Sequence, residues 1–327
     1  LNLDIACLPQ LRPQTYQPHA LHATERAWPE TNCYVDLWIE VLHAMNLPPQ
    51  ASFAFTVTQD FEGDQIGFFK IPTEDLEMLY GIRVQELAIF DNVEDHLLTQ
   101  IARGRLCIVE MDSFFLPDTR GLTYHIEHGK TTLGINRLNP ATRTLEYFHN
   151  GGYYALSGDD FDGLFRRGAH AGLDELFLPY TEFAKLDGLV RRQDLREASV
   201  ELLRRHLQRR PKANPIAAFA KAFPEQARAI LDKKDGFFHK YAFNTLRQIG
   251  ANFGLLADYL IWRELEGEAD LVEPAAAAQK IADTAKVAQF QLARALARQR
   301  FEPLGAMLDP AVEAWDKVMA ILDQRYR

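Results

Sequence analysis

Cysteine is scarce in this chain: only 3 occur in 327 residues, Cys7, Cys33 and Cys107. Few, odd in number and widely spaced, they suit neither a disulfide framework nor a zinc ribbon. A reducing, cytoplasmic setting is expected. No apolar run approaches the length that spans a bilayer. The opening Leu1-Asn-Leu-Asp-Ile-Ala lacks the basic region and apolar core of a signal peptide. Positive charge is also short, at a net -9, which disfavours non-specific nucleic-acid binding. Glycine-rich phosphate loops are missing: there is no G-x-G-x-x-G, no Walker motif and no G-x-S-x-G elbow. Kinase, dehydrogenase and serine-hydrolase chemistry therefore find no support.

What remains is a chain that is 47% hydrophobic and long enough for two modest domains. Its halves differ in texture. Up to about Phe183 it is rich in Phe, Tyr, Gly and β-branched residues; after about Leu186 it is rich in Ala, Leu, Arg and Gln, the mark of helices. The boundary falls in Leu178-Pro-Tyr-Thr-Glu-Phe-Ala-Lys185, giving domains 1–185 and 186–327.

Apolar spacing of Tyr34, Leu37, Trp38, Val41, Leu42 and Met45 predicts a helix over 33–45, ended by Asn46 and Pro48-Pro49. Helices are expected over 73–81 and 93–103, closed by Gly81 and Gly104. Phe53 to Val57 reads equally as a short strand or an apolar helical turn. The period then changes, and strands are expected at 106–111, 131–136 and 144–148, the last two joined through Asn139-Pro-Ala-Thr-Arg143. The second half reads as about five helices: 194–208, 215–232, 239–266, 277–297 and 310–326. Gly250 and Gly254 weaken the long third one.

Cys33 opens the first helix, where unpaired N–H groups and the positive end of the dipole lower a thiol's pKa. Downstream come His128 before a strand and Asn150 after the next strand. Cysteine, histidine and asparagine in that order is the chain order of a papain-like thiol site. Cys33 would be the nucleophile, His128 the base and Asn150 the group that orients the imidazole. The backbone N–H of Cys33 is the default oxyanion donor, with Asn32, Gln17 or Gln59 as candidates for the second. Asp112 would contact a substrate amine or cap a loop. His125 and His149 compete with His128 and Asn150 and fit supporting roles. His125-x-x-His128 has no partner cluster that would complete a metal site, and no tightly bound cofactor is expected. Between Leu189 and Lys212, eight basic residues face three acidic ones. Arg191, Arg192, Arg204, Arg205, Arg209 and Arg210 form either a solvated helix face or a dock for an acidic partner.

The strings Thr31-Asn-Cys-Tyr-Val-Asp36, Glu110-Met-Asp-Ser-Phe-Phe-Leu-Pro-Asp-Thr-Arg-Gly121, His128-Gly-Lys-Thr-Thr-Leu-Gly-Ile135 and Tyr147-Phe-His-Asn-Gly-Gly-Tyr153 resemble a bacterial family called domain of unknown function 1839. That family is more distantly similar to acyltransferases of the butirosin biosynthesis protein H type. The shared features are Cys33, Asp112 to Pro117, His128 and Asn150. The chain departs from those relatives at Asn150-Gly151, where they carry aspartate-proline.

The resemblance implies an α+β fold: a papain-like cysteine-protease-type N-terminal domain followed by a C-terminal α-helical bundle. It implies acyl or aminoacyl transfer from the phosphopantetheine thioester of an acyl or aminoacyl carrier protein to a small amine. A thiol hydrolase of amides or thioesters and a silent carrier-protein or peptide binder are the alternatives.

Overall fold

The structure is a computed structural model. It describes residues 5–172, 179–234 and 236–327. Residues 1–4 of the opening segment and Leu178 of the expected boundary lie outside them. The elements run β1 (Ile5–Ala6), α1 (Cys33–Ala44), α2 (Thr73–Tyr80), β2 (Arg83–Glu86), α3 (Val93–Ala102), β3 (Arg105–Asp112), β4 (Lys130–Asn139), β5 (Thr144–His149), β6 (Gly152–Ser157), α4 (Asp159–Leu164) and β7 (Thr181–Lys185). Then follow α5 (Leu195–Leu207), α6 (Pro215–Ala229), α7 (Phe237–Ala242), α8 (Gln248–Leu265), α9 (Val272–Arg298) and α10 (Asp309–Tyr326). The architecture is α+β, with a sheet in the N-terminal region and a mostly helical C-terminal bundle. Among the described residues, no helix is long and apolar enough to cross a membrane.

The chain falls into two compact units that interleave. One takes residues 1–22, 32–48 and 76–192; the other takes 23–31, 49–75 and 193–327. A cut at 185/186 is close to the last crossing at 192/193, but two earlier segments also belong with the helices.

In the first unit the strands run in the order β2-β7-β3-β4-β5-β6, all antiparallel. β3 pairs with β4 from Lys130 to Ile135, and β1 takes over at Arg137 and Leu138. Side chains alternate between faces along a strand, so this register sorts the residues. Thr132, Gly134, Ile108 and Phe148 share the face on which α1 lies. Thr131, Leu133, Val109, Met111 and Tyr147 share the other, where Leu97 of α3 and Phe161 of α4 complete a buried core.

α1 forms because Asn32 caps it, its side-chain oxygen accepting the Val35 N–H at 3.0 Å. Leu37, Trp38, Val41 and Leu42 are wholly buried, worth roughly 1.5–3 kcal/mol each. Gly134 allows the close approach: a Cβ there would stand 3.2 Å from Leu37.

A buried charge network ties the N-terminal segment to α1. His22 Nδ1 meets Glu40 at 2.5 Å and its Nε2 lies 3.3 Å from Asp36. The Tyr16 hydroxyl donates to Glu40 at 2.5 Å, as does the His19 N–H at 3.0 Å. Burial alone would push the His22 imidazole down, but the hydrogen bonds and charges of Asp36 and Glu40 outweigh it and lift it to about 9.

In the second unit Phe53 to Val57, which reads as strand or helical turn, lies within a 3-10 helix, Pro49–Thr58. It is held by Ser199 Oγ donating to the Ala51 carbonyl at 2.9 Å and Asn252 Nδ2 to the Thr56 carbonyl at 2.8 Å. The helix expected over 239–266 is three pieces: α7, a π-helical turn over Phe243–Arg247, and α8. Gly250 does not break α8. It seats Trp28, whose ring would lie 2.4 Å from a Cβ at that position, while Trp28 Nε1 donates to the Ala282 carbonyl at 3.0 Å.

Candidate functional site

The site is built where β3 ends and β4 begins. Asp112, the last residue of β3, stands opposite Lys130. Its Oδ1 accepts the Phe114 N–H at 3.1 Å and the Gly129 N–H at 3.3 Å, and the Ser113 N–H donates to the Gly129 carbonyl at 2.7 Å. These bonds close the loop on itself and fix His128, two residues before β4. Asp112 Oδ2 then accepts from His128 Nδ1 at 2.7 Å and from Arg166 at 3.2 Å. Phe114 stacks on the imidazole at 4.3 Å between ring centres, 11° from parallel. A loop cap and an imidazole anchor are thus the same carboxylate.

Burial alone would raise Asp112, but the bonds from His128, the Phe114 N–H and Arg166 hold its carboxyl below the usual carboxylate range. An ionised carboxylate only accepts hydrogen bonds, so the proton of neutral His128 sits on Nδ1. That leaves the lone pair on Nε2, to which no described residue bonds. The side chain of His128 is 62% exposed. It lines a cavity of about 750 Å³, together with Asp112, Arg166, Lys130, Glu110, Glu94 and Tyr180. Lys130 pairs with Glu110 at 2.7 Å and Arg167 with Glu94.

The other expected residues lie elsewhere. Cys33 does open α1, half-buried, but its Sγ meets Thr132 Oγ1 at 3.6 Å. No described histidine bonds to it. Asn150 does not orient His128; Asp112 does. Asn150 and Gly151 are the two-residue loop of the β5–β6 hairpin, between the paired His149 and Gly152, and Asn150 has φ 44°. That left-handed backbone favours Asn for reasons of conformation. The Cys33–His128–Asn150 grouping is therefore not assembled among the described residues.

His149 is buried on the face away from α1. Its Nδ1 bonds Asp118 at 2.6 Å and its Nε2 bonds Thr131 Oγ1 at 2.8 Å, with the Tyr147 hydroxyl on Asp118 at 2.5 Å. Both ring nitrogens are satisfied, so it ties the sheet to the 112–119 loop. His125 bonds Asp160 at 3.0 Å. Gln59 lies in the second unit and donates to the Gln248 carbonyl at 3.1 Å. Burial pushes the Cys7 thiol up to about 12 and raises Cys107 as well, which removes both as nucleophiles near neutral pH. No group of three or more metal-binding side chains occurs among the described residues.

The expected arginine dock is partly spent on structure. Arg191 donates to the Met45 and Asn46 carbonyls, Arg192 to the Met78 carbonyl, and Arg210 pairs with Asp323. Arg204 is 3.9 Å from Glu201. Arg204, Arg205 and Arg209 remain exposed on or just past α5.

Two family domains match nearly the whole chain. The DUF1839 N-terminal domain covers residues 17–186 and the DUF1839 C-terminal domain covers 192–324. The chain belongs to the DUF1839 family. No curated protein matches it. The DUF1839 N-terminal domain spans every described residue of the cavity wall and also Cys33, so family membership does not choose between His128 and Cys33. Geometry does. Sequence reading missed Arg166, Glu94 and Tyr180, which come from separate elements and carry no local motif. Lys130 stands two residues from His128 and carries no local motif either.

Proposed function

We propose that the protein is an acyl or aminoacyl transferase in which His128, held by Asp112, activates an amine acceptor for direct attack on a thioester. The observation that carries this reading is the 2.7 Å bond between His128 Nδ1 and Asp112 at the wall of the cavity. A base needs a free lone pair, a fixed ring and access to substrate, and His128 has all three. The acyl donor, a phosphopantetheine thioester on a carrier protein, is taken from the resemblance to papain-like acyltransferases. The amine nitrogen attacks the thioester carbon, forming C–N as C–S breaks. His128 Nε2 takes the amine proton and returns it to the leaving thiolate. No covalent enzyme intermediate is required.

Asp112 supplies orientation and stabilises the imidazolium that forms. Asp112→Asn is expected to slow transfer by about 10²–10⁴, since an amide can favour the wrong tautomer. The test mixes the protein with an aminoacyl-pantetheine thioester and a primary amine and follows the amide product by mass spectrometry. Product formation that His128→Ala and Asp112→Asn leave unchanged contradicts the reading. So does the absence of product across several aminoacyl thioesters.

A further inference from the structure

The α3 end of the same cavity carries a second feature. Glu94 lies in the first turn of α3, where Asn92 caps its N–H at 2.9 Å. It is 4% exposed and lines the cavity. One carboxylate oxygen, Oε1, pairs with Arg167. The other, Oε2, is buried and has no hydrogen-bond partner among the described residues. A buried carboxylate oxygen without a donor is costly, because its desolvation goes uncompensated. Such a debt is repaid when a ligand brings the donor.

The charges around it say what kind of donor. Among the described residues, four carboxylates line this wall, Asp91, Glu94, Glu110 and Asp112, against two cations, Lys130 and Arg166. Both cations are already paired with wall carboxylates, Lys130 with Glu110 and Arg166 with Asp112. Asp91 is exposed, and no described residue pairs with it. An anionic ligand would have to break one of these pairs. A cation would find Asp91 unpaired at the surface and the buried oxygen of Glu94 without a donor among the described residues. Val93, Met111, Leu164, Phe165 and Tyr180 supply apolar wall between the polar groups.

We infer that Glu94 Oε2, with Asp91 beside it on the chain, is the receptor for a primary ammonium group, and that the cavity takes an amine carried on an apolar or aromatic body. This rests on the proposed amine acceptor and names its class; the bound ammonium gives one proton to solvent before its nitrogen attacks. Burial raises the Glu94 carboxyl despite Arg167, and a cation beside it would favour its charged form.

The test uses 2-phenylethylamine, with 2-phenylethanol and 3-phenylpropionate as neutral and anionic probes of similar shape. Binding to the full chain is measured by calorimetry. The amine is expected to bind at least tenfold more tightly than either control. Glu94→Gln is expected to weaken the amine at least tenfold and to leave the alcohol unchanged. Asp91→Asn, at an exposed position that cannot compromise folding, is expected to weaken the amine two- to fivefold. His128→Ala is expected to keep amine binding. Equal affinity for amine and alcohol, no amine binding at millimolar concentration, or an amine affinity indifferent to both carboxylate changes overturns the inference. Glu94-dependent amine binding in a protein that never forms an amide would sustain this site and sink the transferase reading. Amide formation with no preference for the amine probe would do the reverse.

Discussion

His128→Ala is expected to lower amide formation by about 10²–10⁴, the range for removing a positioned general base, while Cys33→Ser changes it less than about threefold. The contrast follows from the hydrogen bonds. His128 has one nitrogen anchored on Asp112 and the other open to the cavity. Cys33 has Thr132 beside its sulfur where a histidine would be needed to share the proton. A helix N-terminus favours a thiolate, but without a base in reach that preference does not make an acyl-enzyme cycle. Because His128 is mostly exposed, its loss should leave the unfolding midpoint close to that of the parent. Circular dichroism alongside the kinetics separates lost chemistry from lost fold.

Glu40→Ala is expected to destabilise the first unit by roughly 3–5 kcal/mol, the cost of removing one partner from a buried ion pair. Glu40 faces His22, the Tyr16 hydroxyl and the His19 N–H at once. Burial works against its charge, yet these partners hold its carboxyl below the usual range. The pH dependence follows from His22, which is lifted from an ordinary 6.5 to about 9. Its contribution is complete below about pH 6.5 and is lost as pH rises through about 9. The parent's urea midpoint should therefore fall across that window, and the fall should be smaller in Glu40→Ala. Identical midpoints for parent and variant at pH 6.5 would show that the network carries no net stability.

Elements with strong local signals were legible in the sequence. α1 shows its apolar spacing and its Asn32 cap; α2 and α3 end where Gly81 and Gly104 take positive φ; β4 and β5 show apolar runs around a Pro-containing turn. β2 was not legible, because Arg83-Val-Gln-Glu86 is an edge strand with little buried surface and no alternation to read. β7 hides in the string taken for a domain boundary, since burial of Thr181 to Ala184 comes from its neighbours β2 and β3. The segments 23–31 and 49–75 join the helical unit through tertiary packing, which no composition shift announces. At the site, Asp112 and His128 were both visible, yet their bond was not. Sixteen residues separate them, and antiparallel register brings them together. Asn150-Gly151 has two meanings in a sequence: a side-chain amide for chemistry, or a backbone that turns tightly. The hairpin register accounts for the second.

The most direct test of the account is the intact mass of the protein during reaction with an aminoacyl-pantetheine thioester, before amine is added. Direct attack predicts an unmodified protein, followed by amide product once amine is present, with Cys33→Ser behaving as the parent does. A mass gain equal to the aminoacyl group, present in the parent, absent in Cys33→Ser and discharged by amine, would contradict it and restore Cys33 as the nucleophile.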